Sequence, residues 1–105
     1  MSDFDLIAVD MDGTLLNDKL EITKKNKDKL NELAKKDIYI TLATARTFNS
    51  AFYYARKLGL DIPIITYNGA LIKEIKNNKI IYSNSINLDL AKNIIILGKK
   101  NNIYT

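Results

Sequence analysis

The chain has 105 residues, enough for one ordinary domain, and 47% of them are hydrophobic, so a packed core is expected and a disordered chain is excluded. It contains no cysteine and no histidine, which excludes disulfides, the usual zinc sites and the Ser-His and Cys-His nucleophile systems. The net charge of +4 comes mainly from dispersed lysines, with Arg46 and Arg56 as the only arginines, so we predict a solvated surface and no nucleic-acid partner.

The first half of the chain alternates predicted strands and helices. A strand is predicted over residues 4–10, and a loop over 11–18 follows it. Thr23 is a candidate cap for a helix over 24–36, whose thin apolar face suits the outside of a sheet. A second strand over 38–43 is rich in β-branched and aromatic residues.

The next elements repeat this order. Apolar residues at helical spacing predict a helix over 47–58, and Gly59 is well placed to end it. A third strand follows over 62–67, with Pro63 tolerated near its start. Strands that alternate with helices of this length indicate an α/β fold with right-handed βαβ units and a parallel sheet.

The pattern changes after residue 69. Two strands over 70–76 and 79–83 are predicted to form a hairpin around an Asn-Asn turn at 77–78, because Asn tolerates positive φ. A last helix is predicted over 87–100, capped by its first residue, and residues 103–105 are expected to begin a further strand. Three parallel strands make a marginal domain alone, so we expect the front part of a longer fold.

Two carboxylates follow the first predicted strand. Residues 10–16 read DMDGTLL, so Asp10 and Asp12 stand at the strand's carboxyl end, the edge where open α/β sheets bind ligands. Their type and spacing suit a nucleophile and a general acid/base around Mg²⁺ and a phosphate. Gly13 lets backbone N–H groups approach the phosphate, and Thr14 offers a hydroxyl. The alternative is a plain turn, but the preceding buried strand favours function.

The ends of the other two strands supply further candidates. Thr44 offers a hydroxyl near a helix N-terminus, as a phosphate contact or simply as a helix cap. Arg46 is expected either to pair with a substrate anion or to lie across the sheet edge. Asn68 and Gly69 form either a turn that leads into the hairpin or a substrate contact.

Three segments together resemble the Cof-type branch of the haloacid dehalogenase (HAD) superfamily. They are DMDGTLLN at 10–17, ATAR at 43–46 and ITYNGA at 65–70. The resemblance implies a partial doubly wound core, with a large cap domain inserted after the third core strand. It also implies an Mg²⁺-dependent phosphatase that acts on a small phosphorylated metabolite such as a sugar phosphate, through an aspartyl-phosphate.

The resemblance assigns roles to individual residues. Asp10 would be the nucleophile and an Mg²⁺ ligand, and Asp12 the general acid/base that also gives the metal its backbone carbonyl. Thr44 would bind the transferring phosphate, and the TAR segment with Ala45 would take the place of the family's T-G-R. We expect the methyl group of Ala45 to be a mild change that does not inactivate the site.

The same resemblance divides the chain into two parts and implies that its active site is incomplete. Residues 1–69 would be the N-terminal part of the core, and residues 70–105 a hairpin and helix that lead into the cap. The family's lysine and further acidic metal ligands come from a later G-D-x-x-N-D-type segment that the sequence does not contain. We therefore expect half an active site, weak metal binding, and a chain that is inactive alone.

The same residues also bear on alternative functions and on the cellular location of the protein. Phosphomutase or phosphotransferase activity stays open, because related families share D-x-D-G-T, and so does a noncatalytic truncated protein. A receiver-type signalling domain is disfavoured, because Tyr67-Asn68 stands where its phosphoacceptor Asp would be. No apolar stretch reaches the roughly 18 residues of a membrane span, and the start has no basic region, so we expect a cytoplasmic protein without a membrane partner. Substrate identity and oligomeric state stay open.

Overall fold

The computed structural model describes residues 3–104, which contain five strands and three α-helices. Every element predicted between residues 4 and 100 is present, most of them one to three residues shorter. No strand is seen at Ile103 and Tyr104, and residue 105 lies outside the described part. The elements are β1 Leu6–Val9, α1 Lys24–Ala34, β2 Tyr39–Leu42, α2 Phe48–Lys57, β3 Ile64–Thr66, a 3₁₀ turn Tyr67–Gly69, β4 Leu71–Lys73, β5 Ile80–Ser83 and α3 Leu88–Lys100.

The three strands predicted to be parallel are parallel. β1 and β2 pair along their whole length, from Leu6 opposite Tyr39 to Val9 opposite Leu42. β3 joins the other side of β2 through one parallel bridge between Ala43 and Ile65. Pro63 has no N–H to donate at this junction, and its carbonyl accepts a 2.6 Å hydrogen bond from the Thr41 hydroxyl instead. The carboxyl ends of all three strands therefore lie at one edge.

The hairpin is also present, but its connection is longer than predicted. β3, β4 and β5 form an antiparallel meander, and the register between β4 and β5 shifts at Ile72 and Lys73. β4 ends at Lys73, and residues 74–79 form the loop, closed by a 2.9 Å bond from the Glu74 N–H to the Lys79 carbonyl. Asn78 has a φ of 58°, which agrees with the predicted left-handed turn residue.

The core lies between the sheet and α2. The helix presents two fully buried alanines, Ala51 and Ala55, which let its backbone approach Leu42 and Ile64 of the central strands. α1 has no buried residue, in agreement with its thin predicted apolar face. The core thus packs α2 against the strands whose ends carry the candidate site.

The start of α2 is set by Thr47, whose hydroxyl accepts a 3.2 Å hydrogen bond from the Ser50 N–H. Thr47→Ala should lower the free energy of unfolding by about 1 kcal/mol, because a helix N–H loses its acceptor. Urea unfolding followed by circular dichroism measures this change. Thr47→Ser keeps the hydroxyl and should cost much less, so equal losses in the two variants would contradict the cap.

The region after residue 79 is largely exposed. All of β5 is exposed, and in α3 only Gly98 is buried. The prediction that β1 is a buried strand is wrong: none of the residues Leu6–Val9 is buried, because the outer edge of β1 pairs with no strand among the described residues. The division at residue 69 stays a prediction. Within residues 3–104, no helix is both long and apolar enough to cross a membrane.

Candidate active site

The carboxyl ends of the three parallel strands surround one cleft of about 590 Å³. Six of the nine residues predicted for the site line it: Asp10, Asp12, Thr44, Ala45, Asn68 and Gly69. Gly13, Thr14 and Arg46 do not line it. Ala43 and Ile65 were not predicted; they line it because they form the bridge between β2 and β3, and nothing in their side-chain chemistry signals that place.

The loop after β1 is anchored by its apolar residues. Met11 is fully buried between the two acids, and Leu15 and Leu16 are also buried. The backbone turns back at once: the Leu16 N–H donates to the Met11 carbonyl at 2.9 Å, and Gly13 has a φ of +78°. The motif therefore combines buried apolar residues, which anchor the loop to the core, with exposed acids. A plain surface turn would not need this combination.

Asp10 keeps part of its carboxylate available. Its Oδ1 accepts a 2.9 Å hydrogen bond from the N–H of Met11, which fixes the side chain at the mouth of the cleft. No hydrogen bond to Oδ2 is found within the described part of the chain. A carboxylate held by one oxygen and open at the other has the geometry that a nucleophile or a metal ligand requires.

Asp12 is bound on both carboxylate oxygens by Arg46. The Nε of Arg46 lies 2.8 Å from Oδ2, and its Nη2 lies 2.7 Å from Oδ1. These hydrogen bonds, together with the positive charge, lower the pKa of Asp12, and the same contact raises the pKa of Arg46. These contacts place the Arg46 side chain across the sheet edge, and its pairing with a substrate anion stays a prediction.

Thr44 is buried at the end of β2, and two hydrogen bonds connect it to neighbouring loop residues. Its hydroxyl accepts from the N–H of Arg46 at 3.0 Å, and its carbonyl accepts from the N–H of Asn68 at 3.1 Å. The cap of α2 is Thr47, so Thr44 does not cap that helix. Ala45 is not among the residues with positive φ, so a methyl group is tolerated where the family has glycine.

The loop after β3 has an unusual backbone. Tyr67, Asn68 and Gly69 have consecutive φ values of 50°, 55° and 93°. Asn and Gly adopt this region readily, whereas Tyr does so only at a cost. The Tyr67 N–H donates to the Arg46 carbonyl at 3.0 Å, and this bond helps to hold the turn. The segment places Asn68 and Gly69 at the cleft, opposite the two acids.

The oxygen atoms at the cleft suit a hard cation. Asp10 offers one carboxylate oxygen, and the family resemblance predicts the backbone carbonyl of Asp12, whose carboxylate is engaged by Arg46, as a second ligand. Mg²⁺ prefers six oxygen ligands and usually keeps several waters. Within residues 3–104, no group of three or more His, Cys, Asp or Glu residues could hold a metal ion. The donors therefore fit Mg²⁺ in kind and supply a minority of its ligands.

Comparison with known proteins agrees with this geometry. A family profile described as haloacid dehalogenase-like hydrolase matches residues 7–105. The chain belongs to this family. The resemblance to its Cof-type members, which the three motifs predicted, is thereby confirmed.

Relatives and solved structures of the HAD family extend well beyond this chain. The putative phosphatase YxeH of Bacillus subtilis is 36% identical over 82% of the chain and 33% of its own length. The B. subtilis 5-amino-6-(5-phospho-D-ribitylamino)uracil phosphatase YitU is 29% identical over 94% of the chain and 37% of its own length. A crystal structure of a haloacid dehalogenase-like hydrolase from Bacteroides thetaiotaomicron superposes with a TM-score of 0.87 at 26% identity, over 95% of this chain and 39% of that one. The chain spans about a third of the length of the curated relatives it matches.

Proposed function

We propose that these residues belong to an Mg²⁺-dependent phosphatase that hydrolyses a small phosphorylated metabolite, such as a sugar phosphate. The observation that carries the proposal is the cleft, where an open carboxylate, a second acid and a buried threonine meet at the ends of three parallel strands. Two relatives support the reaction type, since YitU is named as a phosphatase and YxeH as a putative phosphatase. YitU is named for a phosphorylated ribitylamino compound, which supports a small substrate with a sugar-like backbone.

The proposed reaction has two steps. A carboxylate oxygen of Asp10 attacks phosphorus, the bond to the leaving oxygen breaks, and Asp12 gives that oxygen its proton. Water then attacks the aspartyl-phosphate, Asp12 takes the proton, and the bond between Asp10 and phosphorus breaks. Asp10 and the carbonyl of Asp12 would hold Mg²⁺, which neutralises charge where carboxylate and phosphate meet.

The remaining predicted contacts complete this proposal. Thr44 would hold the transferring phosphate. Gly13 and Thr14 do not line the cleft itself, so they would offer a backbone N–H and a hydroxyl from the acid-bearing loop at its margin. Asn68 and Gly69 line the far side of the cleft, where the part of the substrate beyond the phosphate would lie.

We also propose that residues 3–104 carry only part of the machinery. The described acids supply too few ligands for Mg²⁺, and the chain spans about a third of its curated relatives. Residues 1–69 would be the first part of the core, and 70–105 would lead into a cap. Turnover by the 105-residue chain should therefore be far below that of a longer form that contains it.

The test compares phosphate release from p-nitrophenyl phosphate by the 105-residue chain and by any longer form, with Mg²⁺ and with EDTA. We expect turnover only in the longer form, and we expect EDTA to abolish it. Restoration by Mg²⁺ and not by Ca²⁺ would support the small, octahedral site. Turnover that persists in EDTA would contradict the metal, and full activity of the short chain would contradict the incomplete site.

A further inference from the structure

Arg46 lies beside the cleft without lining it, and its charged group faces Asp12. We propose that Arg46 is a positioning residue: it holds the Asp12 carboxylate in one orientation, and Ser50 and Tyr54 hold Arg46. The proposal rests on the proposed function, because it takes Asp12 as the acid/base. It departs from the simpler view that this arginine binds the substrate anion.

The contact between the two side chains has two points. The pairs Nε–Oδ2 at 2.8 Å and Nη2–Oδ1 at 2.7 Å fix both the place and the plane of the Asp12 carboxylate. A single contact, such as a lysine would make, fixes neither. The side chain of Arg46 is 20% exposed and that of Asp12 is 53% exposed, so the arginine is the held partner and the acid is the one it orients.

The arginine is in turn held by α2. Its Nη1 donates to the Ser50 hydroxyl at 2.9 Å, and its guanidinium carbon lies 5.3 Å from the centre of the Tyr54 ring. Positions 46, 50 and 54 are spaced by four residues. Ser50 and Tyr54 therefore lie on one side of α2, and Arg46, which precedes the helix, lies on the same side. The Tyr54 hydroxyl donates to the Leu20 carbonyl at 2.9 Å, which ties the same helix to the loop that follows the acid motif.

These contacts use all three guanidinium nitrogens. Nε and Nη2 meet Asp12, and Nη1 meets Ser50. They engage three of the five guanidinium N–H groups, and the two that remain belong to Nη1 and Nη2. Asp10 and Thr44 line the cleft and Arg46 does not, so the phosphate has nearer partners. The arrangement therefore assigns Arg46 to the acid, whose carboxylate it holds at two points.

The first experiment measures hydrogen exchange at the two arginine Nε–H groups of the 105-residue chain by ¹⁵N NMR. Arg56 is the internal control; its guanidinium stacks at 5.7 Å on Phe52 and lies in none of the ion pairs of the described residues. We expect the Arg46 Nε–H to exchange at least about tenfold more slowly than that of Arg56. Asp12→Asn should remove most of this protection. Equal exchange rates at the two arginines would overturn the proposal.

The second experiment measures kcat and KM in a longer form that shows Asp10-dependent turnover. Arg46→Gln should lower kcat by about a hundredfold while KM changes less than about threefold, because the acid is misplaced and the phosphate contacts remain. Arg46→Lys should fail to restore kcat, since it cannot make the two-point contact. Tyr54→Phe should cause a smaller loss, and Arg56→Gln should leave both constants unchanged.

The outcomes separate this proposal from the one on which it rests. A KM raised tenfold or more with kcat unchanged would make Arg46 a substrate ligand and overturn the positioning role. Rescue by Arg46→Lys would also overturn it, because charge alone would then suffice. If no longer form shows Asp10-dependent turnover, the proposed phosphatase fails, and the exchange rates still decide whether Arg46 holds Asp12.

Discussion

Asp10→Asn should abolish phosphate release by any form of the protein that shows it, with a loss of at least about 10³-fold in kcat. The amide cannot form the phosphorus–oxygen bond and is a poor metal ligand. Its oxygen can still accept the hydrogen bond that the Met11 N–H gives to Asp10, so the loop should keep its shape. Steady-state release of inorganic phosphate measures the loss, and an unchanged unfolding temperature shows that the fold is intact.

The matched control for this change is Asp18→Asn. Asp18 is exposed on the loop that follows the acid motif and does not line the cleft. The same chemical change there should leave kcat and KM as they are. If Asp10→Asn retains turnover within tenfold of the wild type, Asp10 is not the nucleophile and the proposed reaction is wrong. An equal loss in both variants would point to a general effect of removing negative charge.

The position of the cleft that forms the candidate site could be predicted from the sequence because strand ends determine it. Asp10, Thr44 and Asn68 each follow an apolar run of strand length, and the carboxyl ends of parallel strands meet at one edge. The periodicity of residues 48, 51 and 55 likewise predicted the helix face that forms the core. These signals are local in the chain, and the parallel arrangement brings them together.

The contacts within the site could not be predicted in the same way. Asp12 and Arg46 are 34 positions apart, and a long arginine side chain can reach several partners from one backbone position. The sequence therefore left its partner open. Tyr67 gave no sign of its left-handed backbone, because only its neighbours Asn68 and Gly69 are residues that favour it. The loop between β4 and β5 is longer than predicted, and the register shift between Ile72 and Lys73 is likewise not marked by composition.

Ile64→Ala should lower the free energy of unfolding by about 2–5 kcal/mol, because it removes a fully buried side chain from the core. Domains of this size have a total stability of about 5–15 kcal/mol, so the loss is a large part of it. Ile64 lies on β3 against α2 and Leu42, the elements that place the loops of the site. Urea unfolding followed by circular dichroism measures the loss, and the loops at the cleft should lose protection from hydrogen exchange.

Ile81→Ala is the matched control, because it makes the same change on a strand whose residues are exposed. Ile81 on β5 is 50% exposed, so its removal should cost less than about 1 kcal/mol. The contrast tests whether stability depends on the layer between the parallel strands and α2, with β5 and α3 contributing little. An equal loss in the two variants would contradict that layering, since it would require the apolar side of β5 to be covered in solution.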